Sequence, residues 1–267
     1  MGDLRASELS SIEVLDAVDS TNEELMKRAR AGAPHGAALR ARRQAAGRGR
    51  RAHAWSSPEG GLYLSILVKP NLVDRVLPGI PVVCGIGVVS ALEALGCEGI
   101  RLKWPNDVIC AHGKLGGILV ELGRQLGEVL VVCGIGINVE AVSMQQPSPN
   151  ALPVAGLADC LLDAASLPAL DELGARVRVS VLHEIDAWAK GVEASGDDTA
   201  PLTGIVDAYN ELLAYRGERV NVAAVDGEVL EHGVLRGVDV WGRALIELAN
   251  GEVEAYDSSQ VSLRRVG

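Results

Sequence analysis

Arginines and glycines are interleaved in a short stretch, Gln44 to Trp55 (QAAGRGRRAHAW), which lies between two strand-like segments. Glycine lets a backbone approach an anion closely, and guanidinium groups supply the charge-assisted hydrogen-bond donors that suit a phosphate. The string Gly-Arg-Gly-Arg-Arg is also compatible with a solvated turn or with an RNA contact. The stretch therefore predicts an anion-binding loop, with phosphate capture as its favoured use.

A second stretch, Lys103 to Glu121 (KWPNDVICAHGKLGGILVE), combines polar residues with glycine-rich apolar sequence. Because proline favours extended backbone in the residue before it, Pro105 predicts a sharp end to a strand, followed by Asn106 and Asp107. Lys114 then begins a strand with few bulky side chains, where a bound molecule can approach the backbone. Its charge could offset negative charge that develops on a bound substrate. The alternative is an ordinary surface lysine after a hairpin turn.

The basic residues are concentrated around the first stretch. Residues 25–58 contain nine Lys or Arg and no Asp or Glu, whereas the whole chain of 267 residues has a net charge of −10. A positive pocket in an acidic protein suits a small polyanion such as ATP better than a nucleic-acid duplex. The sequence has no Phe, so aromatic platforms for stacking single-stranded RNA are scarce. An RNA-binding module is the weaker alternative.

Cysteine and hydropathy patterns narrow the class of protein further. The five cysteines show no Cys-x-x-Cys pairing, which argues against a metal centre or a disulfide framework. The first residues lack the apolar core of a signal peptide. The longest apolar stretch, residues 80–95, is too short to span a bilayer and contains Glu93. We therefore expect a soluble, cytoplasmic protein without a membrane partner.

Hydrophobic periodicity predicts an α+β fold with a mixed, largely antiparallel sheet flanked by helices. Strands are expected at residues 12–18, 37–43, 62–68, 101–103, 108–110, 115–122 and 128–139, with hairpin turns at 111–113 and 123–127. Helices are expected at residues 21–32, 81–95, 157–190 and 202–214, with breaks at Pro168 and at 191–199. Thr21 and Glu24 would form a capping box at the first helix, and residues 144–150 should be a loop.

From Gly217 onward the sequence changes to short strands separated by turns. These strands are expected at residues 219–223, 228–237, 244–248, 253–256 and 261–264. Five short strands in so short a segment suggest a small SH3-like β-barrel. We therefore place a domain boundary after Arg216, with residues 1–216 as the catalytic domain and residues 217–267 as the barrel.

Together these motifs resemble those of biotin protein ligases in their short form, without the N-terminal DNA-binding domain. The shared features are the Gly/Arg loop with Gln44 before it and Trp55-x-x-Pro58 after it, the string Asp19-Ser20-Thr21-Asn22, the KWPND segment, and the strand Gly134-Ile135-Gly136-Ile137-Asn138-Val139. The resemblance covers residues 14–264 and implies a class II synthetase-like catalytic domain. Few residues precede the first strand, so a DNA-binding role is not expected.

The resemblance implies a reaction in two steps. Biotin is first adenylated by ATP to biotinyl-5′-AMP, and is then transferred to a specific lysine in the biotin carboxyl carrier domain of a carboxylase. ATP and Mg²⁺ would be co-substrates, and no tightly bound cofactor is expected. The identity of the carboxylase and the presence of a homodimer are left open. A lipoate or octanoate protein ligase of similar fold is the alternative, although its RRxSGGG-like signature is missing from this sequence.

Residue roles carry over from the family by matching positions. The implied biotin-binding residues are Ser20, Thr21, Asn22, Gln44, Gly47, Arg48, Lys114 and Gly117. The implied ATP-binding residues are Arg50, Arg51, Trp55, Lys103, Asn106, Asp107 and Asn138. Lys114 and Arg50 are the implied catalytic residues, and Asp107 is the implied Mg²⁺ ligand. The loop departs from the family pattern at Ala45, Ala52 and His53, and their effect on its closure is left open.

Overall fold

The computed structural model of the chain describes residues 9–141, 152–161 and 167–266. These residues form a seven-stranded sheet, a five-stranded sheet and four α-helices. The larger sheet contains β1 (Glu13–Val18), β2 (Ala38–Gln44), β3 (Leu62–Val68), β4 (Arg101–Lys103), β5 (Asp107–Cys110), β6 (Gly113–Gln125) and β7 (Glu128–Ile137). The helices are α1 (Thr21–Arg30), α2 (Ile80–Glu93), α3 (Leu170–Ser195) and α4 (Val206–Leu212).

The larger sheet is mixed and largely antiparallel, as the sequence predicts. Its strand order is β1-β2-β3-β7-β6-β5-β4. β1 and β2 are parallel, and α1 connects them, whereas every other pair in this sheet is antiparallel. The long hairpin of β6 and β7 therefore lies between β3 and β5 in the middle of the sheet.

The two faces of the larger sheet pack against different helices. Alternate residues of a strand point to opposite faces, and in β3 Leu62 and Leu64 pack in the main core with α2 and α3. Ser65 and Leu67, on the opposite face of β3, face the side that α1 covers, where Leu67 packs against Leu25 and Ser65 hydrogen-bonds to the start of α1. The sheet thus has an apolar face under α2 and α3, and a face with polar positions near α1.

The most apolar segment of the described residues is a helix of the core. Residues 74–93 are long and apolar enough to cross a bilayer by length and composition, and their most apolar 18-residue window has a mean hydropathy of 1.8, but 67% of that window is buried inside the protein. Cys84, Val88 and Leu92 of this segment are fully buried. Packing against the sheet and α3 accounts for its apolar composition, as in the core helix of a soluble protein.

The C-terminal residues form the expected small antiparallel sheet. Its strands are β8 (Arg219–Ala224), β9 (Val229–Val238), β10 (Ala244–Glu247), β11 (Val253–Tyr256) and β12 (Val261–Arg265), in the order β11-β10-β9-β8-β12. Its inward residues, such as Val222 and Leu263, belong to the same hydrophobic cluster as the main core. The indole N–H of Trp104 also donates to the carbonyl oxygen of Gly242 at 3.0 Å. The boundary after Arg216 stays a prediction, because the two parts share one core.

Several boundaries differ from the sequence-based expectation. The helix expected at residues 202–214 is shorter, since α4 covers only Val206–Leu212. Helix α3 begins at Leu170, and residues 157–159 form a single 3₁₀ turn. The helix also continues through Gly191 to Ser195, since one glycine in a helix costs only about 1 kcal/mol and the left-handed Gly196 (φ 64°) supplies the natural end. The turn between β6 and β7 is confined to residues 126–127, which both have positive φ. The loop predicted at 144–150 lies outside the described residues.

The capping box predicted at α1 was wrong. Thr21 is the first helical residue, and Ser20 before it makes no side-chain capping bond. The hydroxyl of Thr21 instead donates to Oε1 of Gln44 at 3.0 Å. The hydroxyl of Thr21 therefore bonds to a residue distant in sequence, Gln44, and not to the backbone of its own helix.

Candidate active site

The start of α1 is held to the end of β2 by side-chain hydrogen bonds. Oε1 of Gln44 accepts one bond from the backbone N–H of Thr21 at 2.8 Å and one from its hydroxyl at 3.0 Å. The amide nitrogen of Gln44 donates to the hydroxyl of Ser57 at 2.8 Å. The hydroxyl of Ser20 forms no hydrogen bond with any residue that the structure describes, although the residue is only 5% exposed. Ser20 is therefore available to a ligand.

Asn22 crosses the polar face of the sheet from β3 to β6. Its amide nitrogen donates to the carbonyl oxygen of Leu119 at 3.1 Å and to Oε2 of Glu121 at 2.8 Å. Its amide oxygen accepts from the hydroxyl of Ser65 at 2.6 Å. A Cβ atom at Gly134 would lie 2.2 Å from this oxygen, so the glycine makes room for Asn22. Asn22 is fully hydrogen-bonded within the protein, and its biotin-binding role stays a prediction.

The Gly/Arg loop folds back on itself. The N–H of Gly49 donates to the carbonyl oxygen of His53 at 2.7 Å, and the N–H of Trp55 donates to that of Gly47 at 2.8 Å. A Cβ atom at Gly47 would lie 2.4 Å from the carbonyl oxygen of Trp55, so this close approach requires glycine. Arg51 has a φ of 53°, in the left-handed region that few non-glycine residues adopt. The loop is a shaped turn, held by its own backbone.

The three arginines of the loop have different partners. Nη2 of Arg48 lies 3.4 Å from both carboxylate oxygens of Glu121. Nη2 of Arg50 donates to the hydroxyl of Ser258 at 2.9 Å, and Nη2 of Arg51 donates to the carbonyl oxygen of Ser258 at 2.6 Å. Burial and the neighbouring charge of Arg51 lower the pKa of Arg50. The smaller sheet thus holds both arginines that are predicted to bind phosphate.

Trp55 forms a wall over the glycine-rich strands. A Cβ atom at Gly136 would lie 2.7 Å from its ring, and one at Gly117 would lie 3.3 Å from it. Nζ of Lys114 lies 5.3 Å from the ring centroid, within the range of a cation–π contact. The buried indole N–H has no hydrogen-bond partner among the described residues. The ring of Trp55 therefore lies directly against Gly117 and Gly136, and the biotin expected above Gly117 would lie beside this ring or displace it.

Asp107 lies between two lysines. Its carboxylate contacts Nζ of Lys114 at 2.6 Å and Nζ of Lys103 at 3.3 Å. Burial by itself would raise the pKa of Asp107, but the two ammonium groups outweigh it, and the pKa lies below its usual range. Asp107 is therefore ionised at neutral pH and holds the side chain of Lys114 in place at the start of β6.

Asn106 and Asn138 hold the strands that present Lys114. The amide nitrogen of Asn106 donates to the carbonyl oxygen of Ile118 at 2.9 Å, and that of Asn138 donates to the carbonyl oxygen of Lys114 at 3.3 Å. The N–H of Lys114 donates to the carbonyl oxygen of Pro153 at 2.7 Å. These bonds fix the backbone on both sides of Lys114, and the ATP-binding roles of the two asparagines stay predictions.

These side chains surround a cavity of about 310 Å³ that residues of both sheets line. All of the predicted site residues line it except Gly47 and Asn138: Ser20, Thr21, Asn22, Gln44, Arg48, Arg50, Arg51, Trp55, Lys103, Asn106, Asp107, Lys114 and Gly117. Among the described residues that line it, five are cationic, and Asp107 is the one carboxylate. A cavity of this charge in an acidic protein attracts a polyanion.

Comparison with known proteins agrees with this geometry. Residues 14–138 match the Biotin/lipoate A/B protein ligase family. The bifunctional ligase/repressor BirA of Escherichia coli (strain K12) is 32% identical over 260 residues, which are 95% of this chain and 74% of that protein. The chain belongs to the biotin protein ligase family. This confirms the resemblance that the motifs suggested.

Other biotin protein ligases match over nearly the full chain. The biotin–[acetyl-CoA-carboxylase] ligase of Mycobacterium tuberculosis (strain ATCC 25618 / H37Rv) is 28% identical, and the match covers 95% of this chain and 89% of that protein. The structure of the biotin protein ligase from Aquifex aeolicus in complex with biotin and ATP superposes with a TM-score of 0.75 at 29% identity, covering 97% of this chain and 100% of that one. The match includes the smaller sheet.

The residues at Asp107 do not form a metal site in this arrangement. No group of three or more His, Cys, Asp or Glu side chains suited to a metal occurs among the described residues. A metal ion at Asp107 would have to displace at least one of the ammonium groups of Lys103 and Lys114. Magnesium binding by Asp107 stays a prediction, and Mg²⁺ that accompanies ATP belongs to the substrate.

Sequence reasoning missed three residues that hold the side chains around the cavity. Ser65 is fully buried and bonds to the start of α1, and Glu121 joins Asn22 to Arg48. Ser258 holds the loop arginines. Ser65 and Glu121 each interrupt an apolar strand, which is a usable signal, but nothing near Ser258 in the sequence points to the loop.

Proposed function

We propose that this chain adenylates biotin with ATP and passes the biotinyl group to one lysine in the carboxyl carrier domain of a biotin-dependent carboxylase, in the cytoplasm. The observation that carries the proposal is the cationic cavity in which Lys114, held by Asp107, faces the glycines of β6 and β7. The glycines let the ring of Trp55 lie against the backbone at one side of the cavity, and the cations attract a triphosphate. One cavity therefore has surfaces that suit both substrates, biotin and ATP.

Biotin would enter with its ring toward the start of α1. The bicyclic ring carries a ureido group, which has one carbonyl acceptor and two N–H donors. The hydroxyl of Ser20 is available there, and Gln44 holds Thr21 in place beside it. Trp55 borders the same space with its indole face. The valerate chain would then extend toward Lys114, which supports a carboxylate at that end.

In the first step a carboxylate oxygen of biotin attacks the α-phosphorus of MgATP, and the bond to the pyrophosphate oxygen breaks. Negative charge accumulates on the oxygens between the two reactants. The ammonium group of Lys114 offsets this charge, and Asp107 keeps Lys114 ionised and in position. Lys114 forms no covalent bond in this scheme. The products are pyrophosphate and biotinyl-5′-AMP.

In the second step the neutral ε-amine of the carrier lysine attacks the acyl carbonyl carbon, and AMP leaves. An amide forms, and the proton of the amine is released to solvent or to AMP. The cations of the cavity wall disfavour a further positive charge, so they lower the pKa of the incoming ammonium group. The same cations stabilise the departing phosphate. One charge distribution therefore supports both steps.

Intact-mass measurement tests this proposal directly. The protein is incubated with ATP and a carboxyl carrier domain, together with either biotin or lipoate. We expect the carrier to gain the mass of one biotinyl group on a single lysine, with no reaction when ATP is omitted. A gain only with lipoate would favour the lipoate ligase alternative. No covalent product with either acid would contradict both ligase assignments.

A further inference from the structure

We propose that Glu121 is a positioning residue for the binding of biotin: its carboxylate holds the guanidinium of Arg48 at the cavity, so that the remaining N–H groups of Arg48 meet the carboxylate of biotin. This inference rests on the proposed function. The family resemblance assigned no role to Glu121.

The polar face of the sheet determines where Glu121 lies. Residues 117, 119 and 121 of β6 alternate with Ile118 and Val120, which pack in or against the main core. Glu121 therefore faces the side that α1 covers, and it pairs across the hairpin with Val132, which packs against α1. A carboxylate at the rim of this apolar layer needs polar partners. It has two.

The first partner fixes the carboxylate. The amide nitrogen of Asn22, a residue that is only 4% exposed, donates to Oε2 of Glu121 at 2.8 Å. Asn22 is itself held by Ser65 and by the carbonyl oxygen of Leu119. The carboxylate thus has a defined position even though 31% of the side chain is exposed.

The second partner is the residue that Glu121 positions. Nη2 of Arg48 lies 3.4 Å from both oxygens of Glu121, and no other side-chain hydrogen bond of Arg48 occurs in the part of the chain that the structure describes. One nitrogen of the guanidinium is therefore engaged, and Nε and Nη1 are left for a second anion. An arginine can bind two carboxylates because it has five N–H donors. Glu121 therefore orients the guanidinium group of Arg48 and leaves its other N–H donors free for a ligand.

Glu121→Gln tests the proposal, because it removes the charge and keeps the shape. The readout is the ratio of the dissociation constants for biotin and for biotinamide, which has the same ring and chain but no carboxylate. In the wild type biotin should bind more tightly than biotinamide. A partly exposed ion pair contributes modestly, so we expect Glu121→Gln to reduce this preference by roughly three- to ten-fold. Affinity for biotinamide should not change.

Two further variants make the result decisive. Arg48→Gln should reduce the preference for biotin at least as much as Glu121→Gln does, with Lys114 accounting for what is left, and adding Glu121→Gln to it should have no further effect. Glu128→Gln, an exposed glutamate on β7 that pairs with Lys69, is the matched control and should behave as wild type. An equal loss of affinity for both ligands would overturn the proposal in favour of a purely structural role.

A stronger preference for biotin in Glu121→Gln would also overturn it, because Glu121 would then compete with the ligand. Arg48→Gln gives an independent answer if Glu121→Gln does not fold: an intact preference for biotin in that variant excludes the proposed contact. Failure of the wild type to bind or adenylate biotin would instead contradict the proposed function itself.

Discussion

Arg50 donates to the hydroxyl of Ser258 at 2.9 Å and so ties the Gly/Arg loop to the smaller sheet. Arg51 adds bonds to the carbonyl oxygens of Ser258 and Val261 at 2.6 and 3.1 Å. The turn that carries Ser258 immediately precedes β12, two residues of which line the cavity. The smaller sheet is therefore part of the cavity's cover. Burial lowers the pKa of Arg50, and a partly desolvated cation gains from an anionic partner.

Arg50→Gly should weaken retention of biotinyl-5′-AMP more than its formation. A charge-assisted contact to a phosphate contributes roughly 1.5–3 kcal/mol, which is about one to two decades in the dissociation rate. The variant should still consume ATP and biotin but should label bystander lysines without selectivity. Following bound adenylate in a chase experiment measures this rate.

Arg30→Gly is the control for Arg50→Gly. Arg30 is exposed at the end of α1 and does not line the cavity, so its removal should leave the adenylate bound. An unchanged dissociation rate in Arg50→Gly would remove this loop from the active site. It would favour a solvated turn instead.

Removal of residues 217–267 should damage both stability and activity. Val222 and Leu263 are buried in the main core, and Trp104 would lose its hydrogen-bond acceptor, so the truncated chain should melt well below the full chain. Ser258→Ala separates the two effects. It leaves the core intact and removes one bond to Arg50, so it should hasten adenylate release a few-fold at an unchanged melting temperature.

Thermal melting and carrier biotinylation are the measurements for this pair of variants. A truncated chain that melts like the full chain and biotinylates a carrier domain normally would show that the smaller sheet has no part in the reaction. Unchanged adenylate release in Ser258→Ala would show that the contact does not hold the loop.

The larger sheet was predictable because its signals are local. Short apolar runs between turn residues locate β3 and β7, and Ser65 within the apolar run of β3 marks the face that carries the site. Gly134 and Gly136 belong to a motif that the sequence shares with the family, and the structure shows that they make room for Asn22 and Trp55. The sequence thus indicated that these positions must be small, but it did not indicate what fills the space.

The errors arise where a distant partner replaces a local one. Thr21 was expected to cap its own helix, but its hydroxyl bonds to Gln44, 23 residues away. The contacts of Arg50 and Arg51 with residues more than 200 positions along the chain were likewise not foreseen, and their expected role in phosphate binding stays a prediction. No local pattern specifies such contacts, because the fold brings the partners together. Residue roles at these positions therefore stay predictions.

Asp107→Asn should change how stability depends on pH. The folded pKa of Asp107 lies below its unfolded value of about 3.9, so the carboxylate stabilises the fold above that pH. This contribution is lost as the pH falls through the lower, folded pKa. The wild type should therefore melt higher than Asp107→Asn at neutral pH, and the difference should shrink below about pH 4.

Melting curves recorded across acidic and neutral pH test the Asp107 prediction. Asp16→Asn is the control, since that side chain is 95% exposed and its ion pair with Arg42 lies on the surface. It should melt close to the wild type. A difference between Asp107→Asn and wild type that does not change with pH would show that packing, and not charge, is what the substitution removes.

Lys114→Ala should nearly abolish adenylate formation and leave the fold intact. The side chain is 32% exposed and contacts Asp107 and the ring of Trp55, and it does not belong to the hydrophobic core. Removal of one electrostatic group aimed at developing charge typically costs about 10²- to 10³-fold in rate. Because the ammonium group acts mainly in the transition state, kcat should fall much more than KM rises. Pyrophosphate release is the measurement.

Lys69→Ala, which removes a lysine paired with Glu128 outside the cavity, should release pyrophosphate at the wild-type rate. If Lys114→Ala stays within a few-fold of wild type, the charge that stabilises the attack on the α-phosphorus must come from elsewhere, and Lys114 loses its catalytic assignment.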